Sequence, residues 1–173
     1  MRKAVRSVFG DVICVQRCQL HKRRNVSAHL PKELQARVDR LMVEAYRSDS
    51  FALAKRRLDQ LARWLDREGH SGAAASLREG LEETLTVLRF KLPEVLRRLL
   101  SSTNAIENTI GSIRRTTRNV KRWRGGDMKL RWIALALCEA EARFHRVKGH
   151  RHLGALGLAL ANLDEQTATK AVA

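Results

Sequence analysis

Aromatic residues are scarce in this 173-residue chain, and proline and cysteine are scarcer. Phe, Trp and Tyr make up 5% of it, so a core has to be built from Leu, Val, Ile and Ala. Two prolines, Pro31 and Pro93, leave long stretches with no helix breaker. Three cysteines, Cys14, Cys18 and Cys138, are too few for the disulfide framework of a small secreted domain. The longest apolar run, Trp132 to Cys138, falls far short of the roughly 20 residues that span a bilayer. The amino terminus carries no apolar signal-peptide region. These absences exclude a disulfide-stapled scaffold and a membrane-spanning protein. The expected compartment is the cytoplasm.

What is present is helix-forming and basic. Hydrophobic residues account for 44% of the chain, enough for one domain with a real core. Net charge is +16, and arginine supplies 25 of the 34 basic residues. A surplus of this size repels itself unless a polyanion is near. Arginine can fork two hydrogen bonds to one phosphate, where lysine offers a point charge. Nucleic acid is therefore the expected partner, and the expected location is nucleoid-associated. A membrane surface is not expected, because the basic residues lack the bulky apolar face of an interfacial helix.

The periodicity predicts an amphipathic helix over residues 2–9, ended by Gly10, and a strand over Val12 to Val15. That strand cannot satisfy its own ladder hydrogen bonds, so its partners must come from elsewhere. Helices are expected over 31–47, with Leu34, Val38, Leu41 and Ala45 on one face, and over 51–68, with Phe51, Ala54, Leu58, Leu61 and Leu65. A third covers 73–90 with Leu77, Leu81, Leu85 and Leu88, and a short one runs from Pro93 to Leu100. After the polar break 101–104 come a helix over 105–124, stopped at Gly125-Gly126, and another over 128–147 with Leu130, Ile133, Leu137 and Ala140 inward. A weak apolar helix over 153–163 precedes a polar tail.

The helix at 105–124 carries the most chemistry. At about 100° per residue, Glu107, Arg114 and Arg118 share one flank, with Lys121 beside them. Between Asn108 and Gly126 there is no acidic residue, but Arg114, Arg115, Arg118, Lys121, Arg122 and Arg124 are all basic, and Lys129 and Arg131 follow. Asn104-Ala105-Ile106-Glu107 also fits a capping box, which would give the glutamate a purely structural task. A solvated face is the plain alternative for the cations, although solvated faces usually mix both signs.

Several segments together resemble one family. Ser102-Thr103-Asn104-Ala105-Ile106-Glu107-Asn108, followed by Ile113-Arg114-Arg115-Thr116-Thr117-Arg118, is similar to the signature around the last catalytic glutamate of Mutator-family insertion-sequence transposases. Gln16-Arg17-Cys18-Gln19-Leu20-His21-Lys22-Arg23-Arg24-Asn25-Val26 resembles the family's Cys-x-x-His motif. Ala73 to Gly80 and Lys121 to Gly126 match one branch of it. The resemblance covers nearly the whole chain, in the family's order.

The resemblance implies a ribonuclease H-like core. Two aspartates and one helical glutamate there hold two divalent ions, Mg²⁺ as the expected cofactor, for DNA strand cleavage and transfer. Glu107 is the glutamate and metal ligand this implies, and Cys18 and His21 lie near that active site. The aspartates are the departure: Asp11, Asp39, Asp49, Asp59, Asp66, Asp127 and Asp164 all stand in the wrong context to replace them.

The expected fold is therefore mainly α: the carboxy-terminal part of a ribonuclease H-like α/β core, one strand retained, with an all-helical insertion. Its expected parts are the sheet's end with the Cys-x-x-His motif (1–30), the helical insertion (31–100), the glutamate helix with carboxy-terminal helices (101–163) and a frayed tail (164–173). The expected function is that of a truncated transposase, inactive alone, that self-associates or joins an intact transposase. The alternative is a non-catalytic helical DNA-binding protein acting on transposon ends or on an intact transposase. Cys14, Cys18 and His21 also suggest zinc, but no second Cys/His pair has suitable spacing. Trp123 and Trp132 either stack on DNA or anchor two helices across the Gly-Gly turn.

Overall fold

The structure is a computed structural model that describes Ser7 and residues 14–172, with 163–172 described by backbone alone. Its described residues are mainly helical. They form two compact units, one of residues up to Ser102 together with those from Gly149 onward, the other Thr103–Lys148.

The first unit holds α1 (Gln19–Ser27), α2 (Lys32–Tyr46), α3 (Phe51–Arg67), α4 (Ser71–Arg78), α5 (Leu81–Thr84) and α6 (Glu94–Leu100), with α9 (Leu153–Val172) returning to it. Pro31 precedes α2 in extended backbone, where its missing N–H costs nothing. Ser50 caps α3 by accepting a hydrogen bond from the Leu53 amide at 3.2 Å. Ala54, Leu58, Leu61 and Leu65 of α3 are buried as their spacing predicts. On α2 the buried stripe is Val38, Met42, Ala45 and Tyr46, while Leu41 is turned toward solvent. The core continues through Val26, Leu77, Leu81 and Leu85. Full burial of a leucine such as Leu58, Leu65, Leu77 or Leu85 contributes roughly 1.5–3 kcal/mol. A smaller cluster, Phe90, Leu92 and Leu96, receives Leu156 and Ala159 from α9.

Three expectations need correcting. The helix predicted over 73–90 is broken: α4 ends at Arg78, Gly80 adopts φ +61°, and α5 and a 3₁₀ turn (Thr86–Leu88) follow. The leucine spacing survives the break, because Leu77, Leu81, Leu85 and Leu88 still reach the core. The predicted strand is not seen where it can be checked. Val12 and Ile13 lie outside the described residues, and Cys14 and Val15 are in irregular backbone; no strand occurs among the described residues to pair with them. The helix predicted at 2–9 lies outside the described residues except for Ser7, which is helical.

The third correction concerns the second unit, which is a helix pair, α7 (Asn104–Thr117) and α8 (Gly125–Glu141). The helix predicted to reach Arg124 stops at Thr117, and Gly125, at φ +67°, opens α8 rather than closing α7. Of the face of α8 expected to point inward, Ala140 is buried, but Leu130 is 67% exposed, and Ile133 and Leu137 are exposed as well. The contact is made by small residues, Ala140 as expected and Ala136 beside it. Two helices touch along a single line, so neither covers a broad apolar stripe on the other.

Candidate nucleic-acid interface and glutamate helix

Glu107 lies in the first turn of α7 and is exposed. The residue preceding the helix is Thr103, one position before the Asn104 of the expected capping box, and its side chain makes no cap bond. The Thr103 hydroxyl instead donates to Glu107 Oε1 at 2.5 Å, and the Glu107 amide donates to the Thr103 carbonyl at 2.9 Å. The carboxylate is thus tethered at the helix N-terminus, where the backbone dipole favours negative charge.

Arg114 and Arg115 occupy the last turn of α7 and Arg118 its C-cap, which keeps the helical conformation. Cations there also complement the dipole, which is their structural use. Lys121, Arg122 and Arg124 are not on the helix but on the connection to α8. All six are exposed. The helical flank therefore ends at Arg118, and the remaining cations extend along an irregular strand of chain toward Lys129 and Arg131 at the start of α8. Gly111 falls on the flank of Glu107 and Arg114, and a Cβ there would meet nothing within 4 Å. Arg115 points elsewhere. With Ala105, Ser112, Ala140 and Phe144 it lines a cavity of about 560 Å³ between α7 and α8, to which Glu107 does not contribute. Two carboxylates lie by this stretch: Asp127 in the first turn of α8, between Arg124 and Lys129, and Glu139 of α8, which accepts from the Thr116 hydroxyl at 3.3 Å. Trp123 is exposed on the connection and Trp132 is half-buried on α8.

Cys18 and His21 belong to the first unit. Cys18 is the residue preceding α1 and His21 lies in its first turn, half-buried and exposed respectively. The residues around them carry an unforeseen task. Lys22, 4% exposed, donates from Nζ to the Ser76 carbonyl (2.7 Å), the Glu79 carbonyl (2.5 Å) and Glu79 Oε2 (2.9 Å). Those carbonyls sit at the C-terminal end of α4, so a buried ammonium caps that helix. Arg17 pairs with Glu79 and Glu83, and Arg23 grips Asp39 with two hydrogen bonds of 2.6 and 2.5 Å. Gln16 donates to the Thr84 carbonyl and accepts from the Val87 amide, and Gln19 donates to the same carbonyl. Arg17 and Lys22 hold the Glu79 carboxyl at about 2, well below its ordinary range. Burial, above all, pushes the neighbouring Tyr46 up to about 12. A Cβ at Gly80 would stand 2.7 Å from the Arg17 guanidinium. The segments 16–26 and 73–80, distant in sequence, are one packed polar assembly. The charge of Lys22 hid it: a lysine inside a basic run reads as solvated unless its acceptors are known.

Among the described residues, no three His, Cys, Asp or Glu side chains come together as a group able to hold a metal ion. One carboxylate at Glu107 is not the donor set of a two-metal centre. Nor is any helix among them long and apolar enough to cross a membrane.

Helical units and an exposed basic segment of a single sign are features of many proteins that handle polyanions. The narrower assignment comes from comparison: the family described as Transposase, Mutator family, matches residues 1–147. The chain belongs to the Mutator family of transposases, and membership of a transposase family implies interaction with DNA. No match was found among curated proteins or among solved structures.

Proposed function

We propose that the chain serves DNA transposition by gripping DNA phosphates through residues 112–131, with Glu107 presented beside the bound strand as one carboxylate of the family's cleavage and transfer site. The observation that supports this is the exposed basic stretch Arg114–Arg124, which holds no acidic residue and begins about two turns after the tethered Glu107. In this reading residues 101–163 are the glutamate-helix part of a ribonuclease H-like core and residues 31–100 its helical insertion. Mg²⁺ would supply Lewis acidity only where two further carboxylates, beyond those the described residues bring together, join Glu107. The described residues do not bring such a set together, and no cleavage step is assigned to them.

A salt titration of a fluorescent duplex tests the grip. Eight Lys or Arg lie in 112–131. If about half, Arg114, Arg118 and Lys121 among them, contact phosphates, affinity falls roughly 150-fold between 50 and 200 mM salt, and Arg114→Ala/Arg118→Ala/Lys121→Ala lowers the log–log slope by about 2.7. An unchanged slope refutes the reading.

A second reading is favoured by the lack of a three-carboxylate group among the described residues. The chain then acts without cutting, by occupying transposon ends, by self-association or by joining an intact transposase. Incubation of the purified chain with duplex and Mg²⁺ or Mn²⁺ separates the two. Cleavage that Glu107→Ala abolishes rejects the second.

A further inference from the structure

The first unit carries a basic surface that the reading of 112–131 does not use. Helices α2 and α3 flank a groove of about 850 Å³ whose lining includes Arg37, Arg47, Arg57, Arg67, Trp64 and Glu44. Arg57, Trp64 and Arg67 recur at helical spacing on α3, and Arg37, Glu44 and Arg47 along α2, so each helix presents one edge to the groove. Between Arg57 and Arg67 the helix rises about 15 Å, a length over which a strand offers several phosphates. All four arginines are exposed.

A solvated face is the plain alternative, and the pairing pattern argues against it. Three of the four carboxylates elsewhere on these two helices are paired with other cations, Asp39 with Arg23, Asp59 with Lys55 and Asp66 with Arg78, the fourth being Glu33 in the first turn of α2. Among the described residues, none of the four groove arginines is in an ion pair with a carboxylate. Arg57 donates to the Glu44 carbonyl and to Ser48 Oγ, which fixes its position and leaves its charge unneutralised. Arg37 stacks on the half-buried Trp64, 4.8 Å from the ring centre, so an indole and a guanidinium are already held together at the groove wall. Glu44 is the carboxylate in the lining, against four guanidinium groups.

We propose that the α2–α3 groove is a second nucleic-acid site, built for a single DNA strand. Arg47 and Arg67, unpaired and at the two helix ends, take phosphates. Arg37 and Trp64 offer a stacked platform on which a base can lie. Unpaired bases of a single strand can reach that platform, whereas a duplex keeps its bases inside the stack.

The site is independent of residues 112–131, and its test is done where that segment is disabled. Full-length Arg114→Ala/Arg118→Ala/Lys121→Ala protein is titrated with fluorescein-labelled oligothymidylate and with a duplex of equal length. The expected result is tighter binding of the single strand. Adding Arg47→Ala/Arg67→Ala lowers its affinity roughly 25-fold at 0.1 M salt and flattens the log–log slope by about 1.4, two phosphates at 0.7 each. Arg47→Lys/Arg67→Lys retains most of the affinity, and Glu44→Gln raises it. Unchanged thermal unfolding of the exposed double variant excludes misfolding. Equal affinity with and without the added substitutions overturns the proposal, as does equal binding of duplex and single strand. Failure of the 112–131 reading shows separately, as a triple variant that matches the wild type on duplex.

Discussion

Replacing Lys22 with methionine isolates the polar assembly that joins the Cys-x-x-His segment to α4. Methionine keeps the buried stem nearly isosteric, so no cavity opens, and it removes three charge-assisted hydrogen bonds at once. Hydrogen bonds to a charged group contribute about 1.5–3 kcal/mol each when their partners stay dry. Here Glu79 is 62% exposed and Ser76 half-buried, so their oxygens rehydrate and the sum is not reached. The 3–5 kcal/mol for stranding a buried charge does not apply either, because Glu79 is not buried. The remaining cost is about 3 kcal/mol, most of it the loss of a cation at the C-terminal carbonyls of α4. With a urea m value of about 2 kcal/mol/M the midpoint moves down by about 1.5 M with m unchanged. Urea unfolding followed by circular dichroism reads this directly. A loss under about 0.5 kcal/mol would refute the reasoning, since Lys22 would then be a lysine whose acceptors are replaced by water without penalty.

Three further outcomes follow from the same geometry. The Glu79 carboxyl is held at about 2 in the folded chain, below its ordinary 4.5, so its contribution is present above about pH 4.5 and lost as pH falls toward 2. Glu79→Gln should be less stable than wild type at pH 7 by about 1 kcal/mol or less, given its exposure, and equal to it near pH 2; thermal melts across that range check the convergence. Gly80→Ala should lose about 1–2 kcal/mol in urea unfolding, because the left-handed backbone disfavours a Cβ and the Cβ displaces the Arg17 guanidinium. Gly111→Ala should do the reverse, since it fills open space in the interior of α7: a gain of about 0.5–1 kcal/mol in helix stability, visible as slower amide exchange in 104–117.

The helices were legible wherever apolar spacing decided them. Leu58, Leu61 and Leu65 on α3, and Leu77, Leu81 and Leu85 across the α4–α5 break, are buried as their periodicity requires. Leu41 was misplaced because Met42, one residue on, is equally apolar and fills the site. The break at Gly80 was hidden because the leucine spacing runs through it without a change of phase. The Gly-Gly pair reads as the end of α7, although it starts the next helix. Residues 118–124 carry no apolar stripe to reveal the change. Family membership was legible from motif order. The mutual contacts of segments 16–26 and 73–80 were not, since hydrogen bonds from Lys22 to backbone carbonyls leave no trace in residue type.

Hydrogen–deuterium exchange of the full chain with and without a duplex of arbitrary sequence, at low salt, tests the central claim most directly. DNA gripped by the Arg114–Arg131 run should slow amide exchange across 112–131, where the connection between α7 and α8 exchanges fast in the free protein, and 150–200 mM salt should remove that protection. Binding that leaves 112–131 unprotected while affinity stays high would contradict the account and place the DNA on another face.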